Sequence, residues 1–342
     1  MDIINGLGAF APVVALVFFL LASSLMIWRL GVLENKGMEG TVLGTLVMPY
    51  CSGLSNIIFA LLLGLKHGEG KLVWENCIVN NATNLTLLIG IPALISALVI
   101  IPKSSSPAKT KGKKKEKKAD KKNSKAGDHL RINRLSLVLT LFAVIFFTGA
   151  LWALSFDRVI DQSDAFVLIG LFVFWQLFQV FDVVKYNITK NHKMNLFIFV
   201  EIILILVAGY IMFESIDWLL TWCMDLGDGF IGNGGLGWLS GWLMVVPNAM
   251  MALYYTFKKR PEIAYSSQIG DGHICIPLCI GIFALFENIK VPEFFHYGLI
   301  LIGSAAVVHV IFLLLFGRLP RIIGGLLVLS YGWFVYQGII PG

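Results

Sequence analysis

Ten stretches of apolar residues, each about twenty residues long, run through this chain. They fall at 7–30, 41–65, 77–101, 134–155, 164–184, 194–213, 237–257, 264–286, 296–317 and 320–339. At 1.5 Å of rise per residue, about 20 helical residues cross a hydrocarbon core of ~30 Å. Lipid offers the backbone no hydrogen-bond partner, so a spanning chain must be helical or close into a barrel. The runs are continuous and lack the alternating ten-residue strands of a barrel, so an all-α integral membrane protein with ten transmembrane helices is expected. Only 14% of the 342 residues are charged, against 57% hydrophobic, with a mean hydropathy of +0.79. That is too little charge to solvate a soluble domain of this size. The first run has no basic residues before it and exceeds a signal-peptide core, so it is expected to be a retained helix.

The charges predict an orientation. The stretch KTKGKKKEKKADKKNSK (109–125) is too charged to bury and too poor in apolar residues to fold, which predicts a disordered linker. The connections after runs 1, 3, 5, 7 and 9 carry 2, 13, 3, 3 and 2 Lys or Arg, 23 of the 27 in the chain. The other connections carry Lys66, Lys71, Arg158 and Lys290. Cytoplasmic loops concentrate basic residues, so the linker is expected in the cytoplasm and both termini outside, in a plasma or inner membrane. The linker is also expected to contact anionic lipid headgroups, and no nucleic-acid partner is expected. The resulting organisation is a first half over 1–102, a linker over 103–130, helices four and five over 131–184, and a second half over 194–342.

Internal similarity supplies the next step. Asn76, Asn80 and Asn84 recur every four residues and so share one helical stripe. Adding 191 to each number gives Ser267, Asp271 and Cys275, a second small polar stripe. Each stripe follows a run containing proline, Pro49 in one half and Pro247 in the other. A proline inside a span removes a backbone hydrogen bond, so Pro49 and Pro247 are the predicted helix breaks. The two repeats, over about 41–101 and 237–286, are joined on opposite sides of the membrane and are therefore inverted. Two inverted five-helix halves with interrupted helices near the midplane are a common transporter plan.

On these residues the chain resembles the calcium/cation antiporter superfamily, the membrane region of the sodium/calcium exchangers. Its repeats run roughly G-T-S-x-P-E, then G-N-x-x-G-S-N-x-x-N or D. GTLVMPY carries Pro49, and ENCIVNNATN (75–84) places Asn76, Asn81 and Asn84 on the family's asparagines. In the second half MVVPN holds Pro247, and PEIAYSSQIGDGHIC aligns through Pro261, Ala264 and Gly270. GYIMFESIDWLL (209–220) is similar to the family's helix before the second repeat. The sequence departs from the pattern where the family's glutamates stand: Tyr50 and Asn248 occupy those places, and Cys275 replaces the final Asn or Asp. Asp271, where the family has serine, is the carboxylate that stands on the polar stripes of the two repeats.

The resemblance implies a secondary-active cation antiporter, and the departures imply an altered ion site. Calcium takes six to eight oxygen ligands with several carboxylates, so one Asp among amides suits a monovalent cation or a proton better. The expected ion-binding residues are Asn76, Asn80, Asn81, Asn84, Asn248, Ser267 and Asp271, with Asp271 and Asn84 as direct metal ligands. The transported ion is Na+, H+, K+ or Ca2+, and no cofactor is expected. Cys275 and Cys279, near His273, have the spacing of a soft-metal site, and core packing explains them equally. His309 lies alone on an apolar face and reads as a satisfied packing histidine. The sequence contains no phosphate-binding loop, nucleophile elbow or HExxH helix, so it is not expected to be an enzyme. The alternative reading is a non-transporting membrane scaffold that keeps the exchanger fold.

Overall fold

The computed structural model describes residues 10–35, 47–96, 98–100, 134–187, 196–226, 235–258 and 260–339. The Lys-rich linker lies outside the described residues. Among the described residues ten helices are long and apolar enough to span a membrane. Residues Ala11–Asn35 form α1, Met48–Leu65 α2 and Gly70–Ala82 α3, which continues through a π-helical turn, Thr83–Leu87, into α4 (Leu88–Ser96). Arg134–Leu154, Gln162–Asn187, Leu196–Leu226 and Leu236–Phe257 are α5 to α8. Pro261–His273 is α9, which continues through a second π segment, Ile274–Cys279, into α10 (Ile280–Ala284). Phe295–Leu315 and Arg321–Ile339 are α11 and α12.

Two short antiparallel ladders report the inversion directly. β1 (Leu98–Val99) pairs with β4 (Arg318–Leu319), and β2 (Val159–Ile160) with β3 (Ile289–Lys290). β1 and β4 follow the third and ninth spans, whereas β2 and β3 follow the fourth and eighth, so the ladders lie on opposite faces. Adding 191 to Leu98–Val99 gives Ile289–Lys290. The offset that relates the polar stripes therefore also relates the strands.

The third and eighth spans are the most enclosed, with 72% and 89% of an 18-residue apolar stretch of each buried. Their polar stripes accordingly face protein, not lipid. Glycines set the closest approaches. A Cβ on Gly324 of α12 would meet the Gly90 carbonyl and the Leu94 amide of α4 at 2.7 Å, so these two backbones touch. A Cβ on Gly241 of α8 would lie 2.8 Å from Val79 of α3. Outside this core α1 and α7 pack together, linked by Ser23 Oγ to Met212 Sδ (3.3 Å) and by an Arg29–Glu201 ion pair (3.4 Å).

The predicted helix breaks need correction. Pro49 sits in the first turn of α2 as described, two residues after Val47, which is itself helical (φ −84°, ψ −51°), so the break expected there falls at the edge of the described residues. Residues 41–46, the predicted start of that helix, lie outside the described residues. Pro247 lies inside the uninterrupted helix α8. The irregular turns fall in the partner helices, at Thr83–Leu87 and Ile274–Cys279, and 191 again maps the first onto the second. Within the second, Ile276 leaves the helical region altogether (φ −119°, ψ 113°).

Candidate functional site

The π turns place wide, partly unwound backbone at the middle of both polar helices, beside their polar stripes. Such turns expose main-chain groups that a regular helix would pair internally. His309 on α11 meets one of them, its Nε2 lying 2.8 Å from the Leu85 carbonyl. The histidine is thus tied to the π turn through Nε2, while its buried Nδ1 has no partner among the described residues.

Asp271 is the centre of the site. Its Oδ1 accepts from Ser52 Oγ of α2 at 3.0 Å. Its Oδ2 accepts from Asn84 Nδ2 at 2.7 Å and from Asn248 Nδ2 of α8 at 2.7 Å. Asn84 Nδ2 also reaches Asn80 Oδ1 at 2.9 Å, and Asn248 Nδ2 lies 3.3 Å from Asn84 Oδ1. Each of these five residues is 1% exposed or less. Four elements from both halves of the chain therefore converge on one carboxyl group. The hydroxyl of Ser52 has a single proton and a second acceptor, Met48 O at 2.9 Å. It can donate to an ionised Asp271, or turn that proton to Met48 and accept from a protonated Asp271.

Some of the expected residues lie elsewhere. Asn76 is tied to α8, donating to Ser240 Oγ and Met244 Sδ at 3.2 Å each. Asn81 points away from the cage and donates to the Gly272 carbonyl at 3.0 Å. These two residues are 191 apart, so this contact sits on the pseudo-twofold relation itself. Ser267 donates to Ala264 O within its own helix and accepts from Gln268 Nε2. The pair Asp271 and Asn84 does meet, but through the Asn84 NH2 group, which cannot ligate a cation in that orientation.

Three residues of the region were not anticipated. Ser52 completes the cage, and Gln268 Nε2 donates to Asn248 O at 3.3 Å. Asn56, one turn beyond Ser52, is buried with both amide atoms unpartnered among the described residues. The usable signal was the i, i+3, i+4 polar pattern of Ser52, Ser55 and Asn56 on α2. Tyr50, which replaces a motif glutamate, turns to α6 and packs edge-on against Phe172, ring centroids 6.3 Å apart. The thiols of Cys77, Cys275 and Cys279 approach one another beside the cage. Among the described residues no group of three or more His, Cys, Asp or Glu is arranged to hold a metal ion. His273, whose ring lies 6.3 Å from that of Phe172, has neither nitrogen hydrogen-bonded among the described residues. The soft-metal reading of Cys275, Cys279 and His273 therefore finds no support here.

Chemically, the cage presents six side-chain oxygens: two from Asp271 and one each from Ser52, Asn80, Asn84 and Asn248. As drawn, three donors surround one carboxylate. A half-turn of an amide exchanges its NH2 for its carbonyl oxygen, so the same residues can face an anionic group or a cation.

The family model for the sodium/calcium exchanger protein matches residues 7–181, just over half of the chain. Solved structures of the sodium-calcium exchanger NCX_Mj are similar along the whole length. The form soaked with 2.5 mM Na+ and 10 mM Sr2+ is 16% identical, with a TM-score of 0.65 over 98% of this chain and 99% of that one. The form soaked with 10 mM Na+ and zero Ca2+ is 16% identical, with a TM-score of 0.65 over 99% and 100%. At this identity the likeness shows the fold. No curated protein matches the sequence.

Proposed function

Because the chain belongs to the sodium/calcium exchanger family and is a membrane cation antiporter, we propose that it carries a monovalent cation or a proton at the Asp271 cage. The observation that carries this reading is the lone carboxylate. Asp271 is the one acidic group among five buried ligating residues, with Tyr50 and Asn248 standing where the family has glutamate. A single negative charge neutralises a single positive one. A divalent ion would leave one charge uncompensated in a site where ions are expensive to bury.

The hydrogen bonds around Asp271 accommodate it either ionised or protonated. Loading with a proton is accommodated by Ser52, and loading with Na+ or K+ by rotation of Asn80, Asn84 and Asn248. Alternating exposure would come from movement of the α1–α7 pair across the core, as the family resemblance implies. The basic connections favour both termini outside, in the plasma or inner membrane, with the Lys-rich linker cytoplasmic against anionic lipid.

Flux in proteoliposomes tests the assignment. Sodium, potassium, calcium or proton movement against an imposed gradient is expected in the wild type and is expected to be lost in Asp271→Asn. Flux that persists in Asp271→Asn overturns the site. A complete lack of flux, with a stable partner recovered on co-purification, favours the scaffold reading.

A further inference from the structure

Glu75 is a second buried carboxylate, outside the cage. It lies on α3 and is 3% exposed. Its Oε1 faces Lys71 Nζ at 3.6 Å, a lysine whose side chain is 48% exposed, while its Oε2 is buried with no hydrogen-bond partner among the described residues. Gly237, in the first turn of α8, makes room for it, since a Cβ there would stand 2.2 Å from Oε2. The positive end of the α8 dipole favours a carboxylate in this place, yet among the described residues Oε2 takes no hydrogen bond from it. A carboxylate oxygen buried without a donor is strongly destabilising unless a proton or cation joins it.

The seam between α3 and α8 leads from Glu75 to Asp271. Asn76 pairs with Ser240, and Asn84 with Asn248, each 164 residues apart. A constant difference means that the helices run parallel, so these contacts are successive polar rungs. Glu75 against Gly237 is the rung at the Gly70 end. Asn84, at the other end, touches Asp271. Nine residues of helix separate Glu75 from Asn84, about 13 Å along the axis, so the two carboxylates serve separate positions.

We propose that Glu75 is a second cation-binding carboxylate, a station for a small inorganic cation at the Gly70 end of the α3–α8 seam, one step before the Asp271 cage. The inference rests on the reading of Asp271 as the central station. It gives the chain two carboxylates on one route, although both motif glutamates are absent.

The test is protection from a hydrophobic carbodiimide, which labels carboxyl groups in apolar surroundings. The full-length protein in nanodiscs is labelled with and without NaCl, KCl or CaCl2, and modification at Glu75 and Asp271 is quantified separately by peptide mass spectrometry. Glu75→Gln identifies the signal. At least one cation is expected to slow labelling of Glu75 several-fold, in the wild type and in Asp271→Asn. Equal labelling of Glu75 in all salts, or no labelling at all, overturns the inference. If Asp271 is meanwhile protected, the central site stands without Glu75. Protection of Glu75 with none at Asp271 overturns the proposed central site instead.

Discussion

Asn248→Asp tests why this chain differs from its family. The substitution places an oxygen where the Asn248 NH2 group now lies, 2.7 Å from Asp271 Oδ2. Two ionised carboxylates at that separation repel by about 6 kcal/mol for an effective dielectric constant of 20, so the pair cannot stay doubly charged and empty. Either one member holds a proton or a cation sits between them. A divalent ion meets both charges at once, and calcium binds best where several carboxylates converge. The variant is therefore expected to gain at least about tenfold in apparent Ca2+ affinity, or ~1.4 kcal/mol, a small share of the repulsion relieved. Isothermal titration in nanodiscs, with Ca2+ against Na+, reads the change, and calcium flux in proteoliposomes shows whether the bound ion moves. Binding should weaken as the solution is acidified, because protons compete for the pair. A folded Asn248→Asp protein with wild-type Ca2+ affinity would refute the view that carboxylate count at this cage selects the ion.

Three further outcomes follow from the packing. Gly324→Ala forces a Cβ against backbone atoms of α4 that cannot turn aside, and is expected to destabilise the protein by about 1–3 kcal/mol in thermal unfolding. Gly332→Ala on the same helix meets nothing within 4 Å and should be neutral or stabilising by up to ~1 kcal/mol. Arg29→Met strands Glu201, which is 1% exposed, and should cost up to about 3–5 kcal/mol, whereas the double change with Glu201→Met should recover most of it.

The amide stripe of α3 was legible because a four-residue repeat of asparagine is visible in any alignment of the chain with a helix. So was its relation to Asp271, since the offset of 191 is a property of the residue order. Which amides close on the carboxylate was not legible. Asn76, Asn80 and Asn84 share a stripe, but Asn76 is taken by Ser240 and Asn80 is held through Asn84. Asn81 sits one residue from Asn80 and is therefore turned by about 100°, to Gly272. Pro247 misled because proline marks a weakened helix, yet α8 continues through it, while the irregular turn of α9 comes at another proline, Pro277.

What residue order determined is whatever the bilayer alone enforces. A ~30 Å hydrocarbon layer demands about twenty apolar residues per crossing, so the number of spans and their helical state follow from hydropathy. What tertiary structure decided is the meeting of groups from different spans. Ser52, Asn248 and Asp271 stand on three helices, and their contact depends on glycine-sized gaps and on two π turns, of which only the second carries a proline, Pro277, as a local signal. Side-chain hydrogen bonds act over about 3 Å, whereas hydropathy acts over a whole span, so the site is determined by packing and the membrane architecture by composition.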